Sequence, residues 1–261
     1  MEKALQVAAS GMLAQKLNID VIANNLANVN TTGFKNSTLQ FQDLLYETIH
    51  SGGESTGAQN KRPSGLQLGN GTRAVATLRS FEQGPITETG NPLDLAINGD
   101  GFLQIRLPDG SLGYTRDGSL KISGEGTLVT SDGYIVEPEI TVPQDAQQIN
   151  IRTDGQVEAK VFGEVDAVPL GQIELARFIN PAGLESIGHN LYKETSASGS
   201  PFVGTPGQDG IGDLNQGYLE KSNVDVVRQM VDMIEAQRAY EINSKTIRTA
   251  QSMYEVENRI R

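Results

Sequence analysis

The sequence predicts an α+β chain. Long N- and C-terminal helices pair as a coiled-coil-like domain, an antiparallel all-β domain is inserted between them, and extended linkers join the two. Three observations carry this reading. Charge is sorted along the chain: residues 1–30 and 223–261 are each neutral, and the whole net charge of −11 lies in 31–222, with thirteen bases against twenty-four acids. Helix breakers are sorted the same way, since all ten prolines and 28 of the 29 glycines fall in 31–222. Apolar residues at the two ends repeat every seven positions, whereas the middle is cut into short runs by turn signals.

The N-terminal helix is predicted over 1–30. Leu5, Met12, Ile19 and Leu26 recur every seven residues, and Ala8, Gln15, Ile22 and Val29 follow three behind them. This is an a/d seam with one polar break at Gln15. Gly33 is expected to supply a left-handed stop. The C-terminal helix is predicted over 223–261, with Asn223 as N-cap and Asp225 in the first turn. Val226, Met233, Tyr240, Ile247 and Tyr254 again recur every seven, and their companions Ala236, Asn243 and Ala250 are small or polar. Two such helices bury too little to offset their ordering entropy alone, so further burial by copies of the chain is expected.

The β domain is placed at 81–200. Pro108-Asp-Gly110, Arg116-Asp-Gly118, Gly124-Glu-Gly126, Ser131-Asp-Gly133 and Thr153-Asp-Gly155 punctuate short strand-like runs. Residues 31–80 are read as an extended linker holding a short amphipathic piece from Phe34 to Ile49. Residues 201–222 are read as the return linker.

Composition narrows the function classes. With no cysteine and only His50 and His189, thiol chemistry and a multi-histidine metal site are excluded. The acidic balance argues against nucleic acid as a partner. Residues 4–14 faintly resemble a signal-peptide core, but the same spacing continues to residue 29, which is the mark of an amphipathic helix. No apolar run is long enough to enter a membrane as a helix. Gly207–Gly212 lacks the strand and helix of a dinucleotide loop, Asn98–Gly101 lacks the acids of a calcium loop, and the pair Glu137/Glu139 reads as a solvated face. Catalytic, cofactor-binding and metal-ligating residues are therefore expected to be absent, and the chain is not expected to be an enzyme. The competing classes are an acidic β-scaffold enzyme acting on polysaccharide and a surface adhesin. The first needs paired carboxylates in an aromatic cleft and the second a cleaved signal or an anchor, and neither pattern stands out.

Two stretches are unusual for a solvated helix end: ANNLANVNTTGFK at 23–35 and EAQRAYEINSKTIRTAQSM at 235–253. They resemble the N- and C-terminal signatures of the flagellar basal-body rod and hook proteins. Between them, NPLDLAINGDGFLQI (91–105), YTRDGSL (114–120), GTLVTSDGYIV (126–136) and LESIGHNLYKET (184–195) resemble the β domain of that family. The segment SGLQLGNGTRAVATLRSFEQG (64–84) is closest to its distal-rod branch, with the proximal-rod and hook-type branches as alternatives.

The resemblance implies a structural subunit that polymerises with itself into a helical hollow tube. Such a tube transmits torque from motor to hook and encloses the export channel. Its implied partners are neighbouring rod and hook proteins, the flagellar type III export apparatus and surrounding ring proteins. Its implied location is the extracytoplasmic basal body, reached without a cleaved signal peptide. The residues expected to form the assembly interface are Leu5, Met12, Ile19, Ile22, Asn24, Asn25, Leu26, Asn28 and Val29 at one end. At the other they are Val226, Met233, Gln237, Arg238, Tyr240, Asn243, Ile247 and Tyr254.

Overall fold

The computed structural model describes residues 2–52, 63–161 and 167–260, with side chains from 3 to 256 among these. The class is α+β, with one long helix at each end and many antiparallel strands between. The chain divides into two units. The first comprises residues 1–27, 37–78 and 225–261, and the second 28–36 and 79–224.

In the first unit, helix α1 (Glu2–Ala27) packs along helix α2 (Val226–Ile260). The cap of α2 differs from the expectation. Asp225, not Asn223, caps it, its Oδ1 accepting from the N–H groups of Val227 (2.9 Å) and Arg228 (3.2 Å). Residues 37–78, read as extended linker, instead hold paired strands: β1 (Ser37–Asp43), β2 (Tyr46–His50), β3 (Leu66–Gly69) and β4 (Thr72–Arg79). β1 pairs with β4 and β2 antiparallel with β3. No residue of either ladder is fully buried and only a few are half-buried, so the sequence carries little of the inside/outside alternation by which a strand is recognised. The 53–62 part of that linker lies outside the described residues.

The second unit is the β unit. Its core gathers Leu95, Ile97, Leu103, Leu120, Leu128, Val136, Ile140, Ile151, Val157, Ile173, Leu175, Ile211 and Leu214. A second cluster packs Phe102, Tyr114, Phe178 and Tyr192 edge to face. Four of the five turn signals connect antiparallel neighbours as expected; for example, Pro108–Gly110 joins β7 (Phe102–Arg106) to β8 (Leu112–Thr115). The fifth, Arg116–Gly118, makes no hairpin. Leu95 N–H donates to Gly118 O (3.0 Å), and Arg116 turns inward.

The return-linker reading of 201–222 also changes. Asp213–Gln216 pairs with β6 (Leu95–Asn98), and Tyr218–Glu220 pairs with β5 (Ile86–Glu88). Ile211 and Leu214 are core residues. These strands are three or four residues long and polar except at single positions, too short for periodicity to register.

The entry and exit of this unit meet at a buried charge cluster. Lys35, Arg116 and Glu220 are each 3% exposed or less. Lys35 Nζ donates to Glu220 Oε1 (2.6 Å) and Glu82 O (2.7 Å), and Gly84 N–H donates to the same Glu220 oxygen (2.8 Å). Arg116 Nε lies 3.1 Å from Glu220 Oε2, and its guanidinium also donates to Gly99 O. The backbone is tied here too. Gly33 N–H donates to Glu220 O (2.8 Å), and Asn223 accepts from Asn36 N–H (2.7 Å) while donating to Ser80 O and Glu82 O (3.0 Å each). Asn223 is thus a tie, which is why it does not cap α2. Gly33 does take the expected left-handed conformation (φ 67°). Its role is close approach, because a Cβ there would sit 2.8 Å from the Arg116 carbonyl carbon.

Burial, with Arg116 beside it, lowers the Lys35 pKa from its ordinary 10.5, and Glu220 opposes the shift. Glu220→Gln leaves two buried cations uncompensated and is expected to cost about 3–5 kcal/mol in urea denaturation of the full chain. Lys35→Met is expected to cost less, because Arg116 still faces Glu220 and the cation–cation repulsion disappears. Between the lowered folded pKa and 10.5 the unfolded chain holds the Lys35 proton and the folded chain does not, so this group's contribution to stability rises with pH. The gap between the natural chain and Lys35→Met therefore shifts towards the natural chain as pH approaches 10.5; a gap independent of pH would contradict the assignment.

Candidate assembly interface

Of the expected a/d seam, Ala8, Ile22, Ala236 and Ala250 are buried and most of the large residues are not, an inversion of size. On α1, Ala8, Ala14, Ile22 and Asn25 are buried, whereas Leu5, Met12, Ile19 and Leu26 are only half-buried, as is Val29 past its end. On α2, Gln229, Ala236 and Ala250 are buried, with Asn243, Met233 and Ile247 half-buried. Val226, Tyr240 and Tyr254, expected at the seam, are exposed, as are Asn24, Gln237 and Arg238. Asn28 lies past the end of α1, where its Oδ1 accepts from Thr31 Oγ1 (3.1 Å). The reason for the inversion is steric and chemical. Small residues and amides let two helices approach closely, and this displaces the large apolar side chains to the flanks.

Asn25 is the best-connected of the expected residues. Its Nδ2 donates to Ser37 O (2.7 Å) and to Gln229 Oε1 (3.1 Å), and its Oδ1 accepts from Ser37 N–H (2.9 Å). One side chain thereby joins α1, β1 and α2. Nearer the N-terminus, Ser10 Oγ donates to Val7 O (2.8 Å) and accepts from Thr72 N–H (3.3 Å), linking α1 to β4. Lys3 pairs with Glu47 at the surface of the same unit. A groove of about 400 Å³ runs between α1, β1 and α2, with Asn18, Ile22, Phe41 and Ala236 among its walls.

Large apolar side chains stand outside this seam. Leu13, Val227, Met230, Val231, Ile234, Ile242, Met253 and Val256 are all about half exposed or more, and Phe41, Tyr46, Leu66 and Val75 are exposed on the paired strands, with Leu45 exposed between β1 and β2. Exposed large apolar side chains in such number mark a surface for association. Among the described residues, no group of three or more acidic or histidine side chains could hold a metal ion, and no helix is long and apolar enough to cross a membrane.

Three family models match the chain in order. The flagella basal body rod protein model matches residues 5–35, the flagellar hook protein FlgE/F/G D1 domain 96–159, and the flagellar basal body rod FlgEFG protein C-terminal model 215–260. The flagellar basal-body rod protein FlgG of Borreliella burgdorferi is 51% identical over 100% of this chain and 99% of its own length. The chain belongs to the flagellar basal-body rod protein family. The FlgG proteins of Buchnera aphidicola (from Acyrthosiphon pisum) and Caulobacter vibrioides are each 49% identical, covering 97% and 99% of both chains respectively. Placed on this rod-family chain, the three matched segments hold one member each of the buried charge cluster: Lys35, Arg116 and Glu220. Sequence reasoning missed that cluster because Lys35 and Glu220 are 185 residues apart and no local pattern links them.

Asn25→Ala removes the two hydrogen bonds to the Ser37 backbone and the buried one to Gln229. Hydrogen exchange of the α1, β1 and α2 amides should report a loss of roughly 1–3 kcal/mol, with the β unit unaffected. Unchanged protection in α1 would show that the amide contributes nothing.

Proposed function

We propose that this chain is a structural subunit of the flagellar distal rod. It polymerises into a helical hollow tube that carries torque from motor to hook and encloses the export channel. The observation that carries the reading is the band of exposed apolar side chains along both terminal helices, in a chain whose full-length relatives are named flagellar basal-body rod proteins. In this reading residues 1–30 and 223–261 pair in a coiled-coil-like way and form the inner tube. The β unit, residues 28–36 and 79–224, is the second part of the subunit, and the strands at 213–216 and 218–220 belong to it.

Neutral ends suit close packing, since a net charge repeated at every subunit would repel. The apolar face of one helix pair is covered by neighbouring copies, with Leu5, Met12, Ile19, Leu26, Val226, Tyr240 and Tyr254 reaching across. The subunit works outside the cytoplasm after delivery through the flagellar type III apparatus without a cleaved signal. It meets other rod and hook proteins along the axis and ring proteins around it.

Purified full-length chain is expected to form hollow fibres of uniform width in electron microscopy. Deleting residues 1–27 should abolish the fibres while amides of Leu103, Ile105, Leu128 and Val157 stay protected from exchange. Fibres from the deleted chain, or no fibres from the intact one under any assembly condition, would count against the reading.

A further inference from the structure

Asn25 bonds to Gln229, and Gly11 faces Asn243 so closely that a Cβ on Gly11 would lie 2.9 Å from Asn243 Nδ2. Residues 25 and 11 are fourteen apart on α1, and 229 and 243 are fourteen apart on α2, running the opposite way. Both contacts therefore belong to one antiparallel register, about 21 Å apart along the pair. The same count sets Asn18 level with Ala236 midway between them, and both line the groove of this unit. At each rung a carboxamide meets an amide it can bond or a residue small enough to admit it.

We infer that the Asn25–Gln229 and Gly11–Asn243 rungs are register-setting contacts that fix how far α2 slides along α1. A seam of alanines and flanking aliphatics tolerates sliding, whereas the buried Asn25–Gln229 bond, the one of Asn25's three that crosses to α2, is made at one position only. A slip of one heptad in one direction sets Asn25 against Ala236, and in the other it moves Asn25 beyond the α2 helix. Either slip sets Gly11 against an alanine, so an amide loses its partner and a gap opens. The small-residue position at Gly11 and the amide at Asn243 are thus two halves of one fitting.

The inference rests on the assembly reading for its purpose. A one-heptad slip displaces the exposed stripe of α2 by about 10 Å against that of α1, so subunits of mixed register could not share a lattice.

The test reads register inside a single molecule, so its outcome is independent of whether fibres form. The chain has no cysteine, and Ala4 and Ala250 lie on the same register count, so Ala4→Cys with Ala250→Cys is a clean reporter. Rapid intramolecular disulfide formation is expected in the full-length monomer. Adding Asn25→Leu, Gln229→Leu and Asn243→Ala should leave the helix signal in circular dichroism intact and lower the disulfide yield at least threefold. An unchanged yield overturns the inference. Should that variant lose its helices, a second set decides: Gly11→Asn alone is expected to lower the yield, and Gly11→Asn with Asn243→Gly to restore it. A full yield from Gly11→Asn alone, or no recovery in the swap, overturns it equally.

Discussion

The carboxylate of Glu220 holds the β unit together at the point where its far-separated segments converge. Two cations, Lys35 and Arg116, are buried against it, and each comes from a different part of the chain. A buried ionic cluster of this kind is not a strong source of stability, because desolvation consumes most of the attraction. Its force is conditional. With all members present the carboxylate faces both cations, and with it missing two positive groups are stranded. The surrounding hydrogen bonds from Gly33, Gly84 and Asn223 depend on the same placement. The cluster therefore specifies where the segment at 28–36 lies against that at 216–224, which no aliphatic contact would do as selectively.

The first unit follows a different logic. Its helix pair is closed by small residues and amides, and its large apolar side chains face outward. Burial within one molecule is thereby limited. Amides and small residues lie between the helices, and Leu13, Val231 and Ile234 stay exposed.

Sorting of charge and helix breakers was enough to locate both helices and the β region, because those signals accumulate over tens of residues. Hairpins inside the β unit were legible where two strands flank a Gly-containing turn, as at 108–110 and 153–155. Strands paired across long separations were not legible. Asp213–Gln216 and Tyr218–Glu220 read as linker because their partners are β6 and β5, more than a hundred residues earlier. The ladders at 37–50 and 66–79 escaped for another reason, having no fully buried residue to leave a strong pattern. At the interface, Asn25 was legible as an amide out of place on an apolar helix. Gln229 was not, since polar residues are common on α2, and heptad counting assigned the large residues to positions that the close approach of the helices reserves for small ones.

The pairing of β5 and β6 with strands near residue 220 has a kinetic meaning. Both wait for partners that arrive last, and the buried carboxylate arrives with them. Contacts of such high sequence separation give a high contact order, with loop-closure entropy due before the reward. A polypeptide emerging N-terminus first stays unfinished until nearly its whole length is out. The closing of the β unit is thereby tied to the strands nearest the end of the chain.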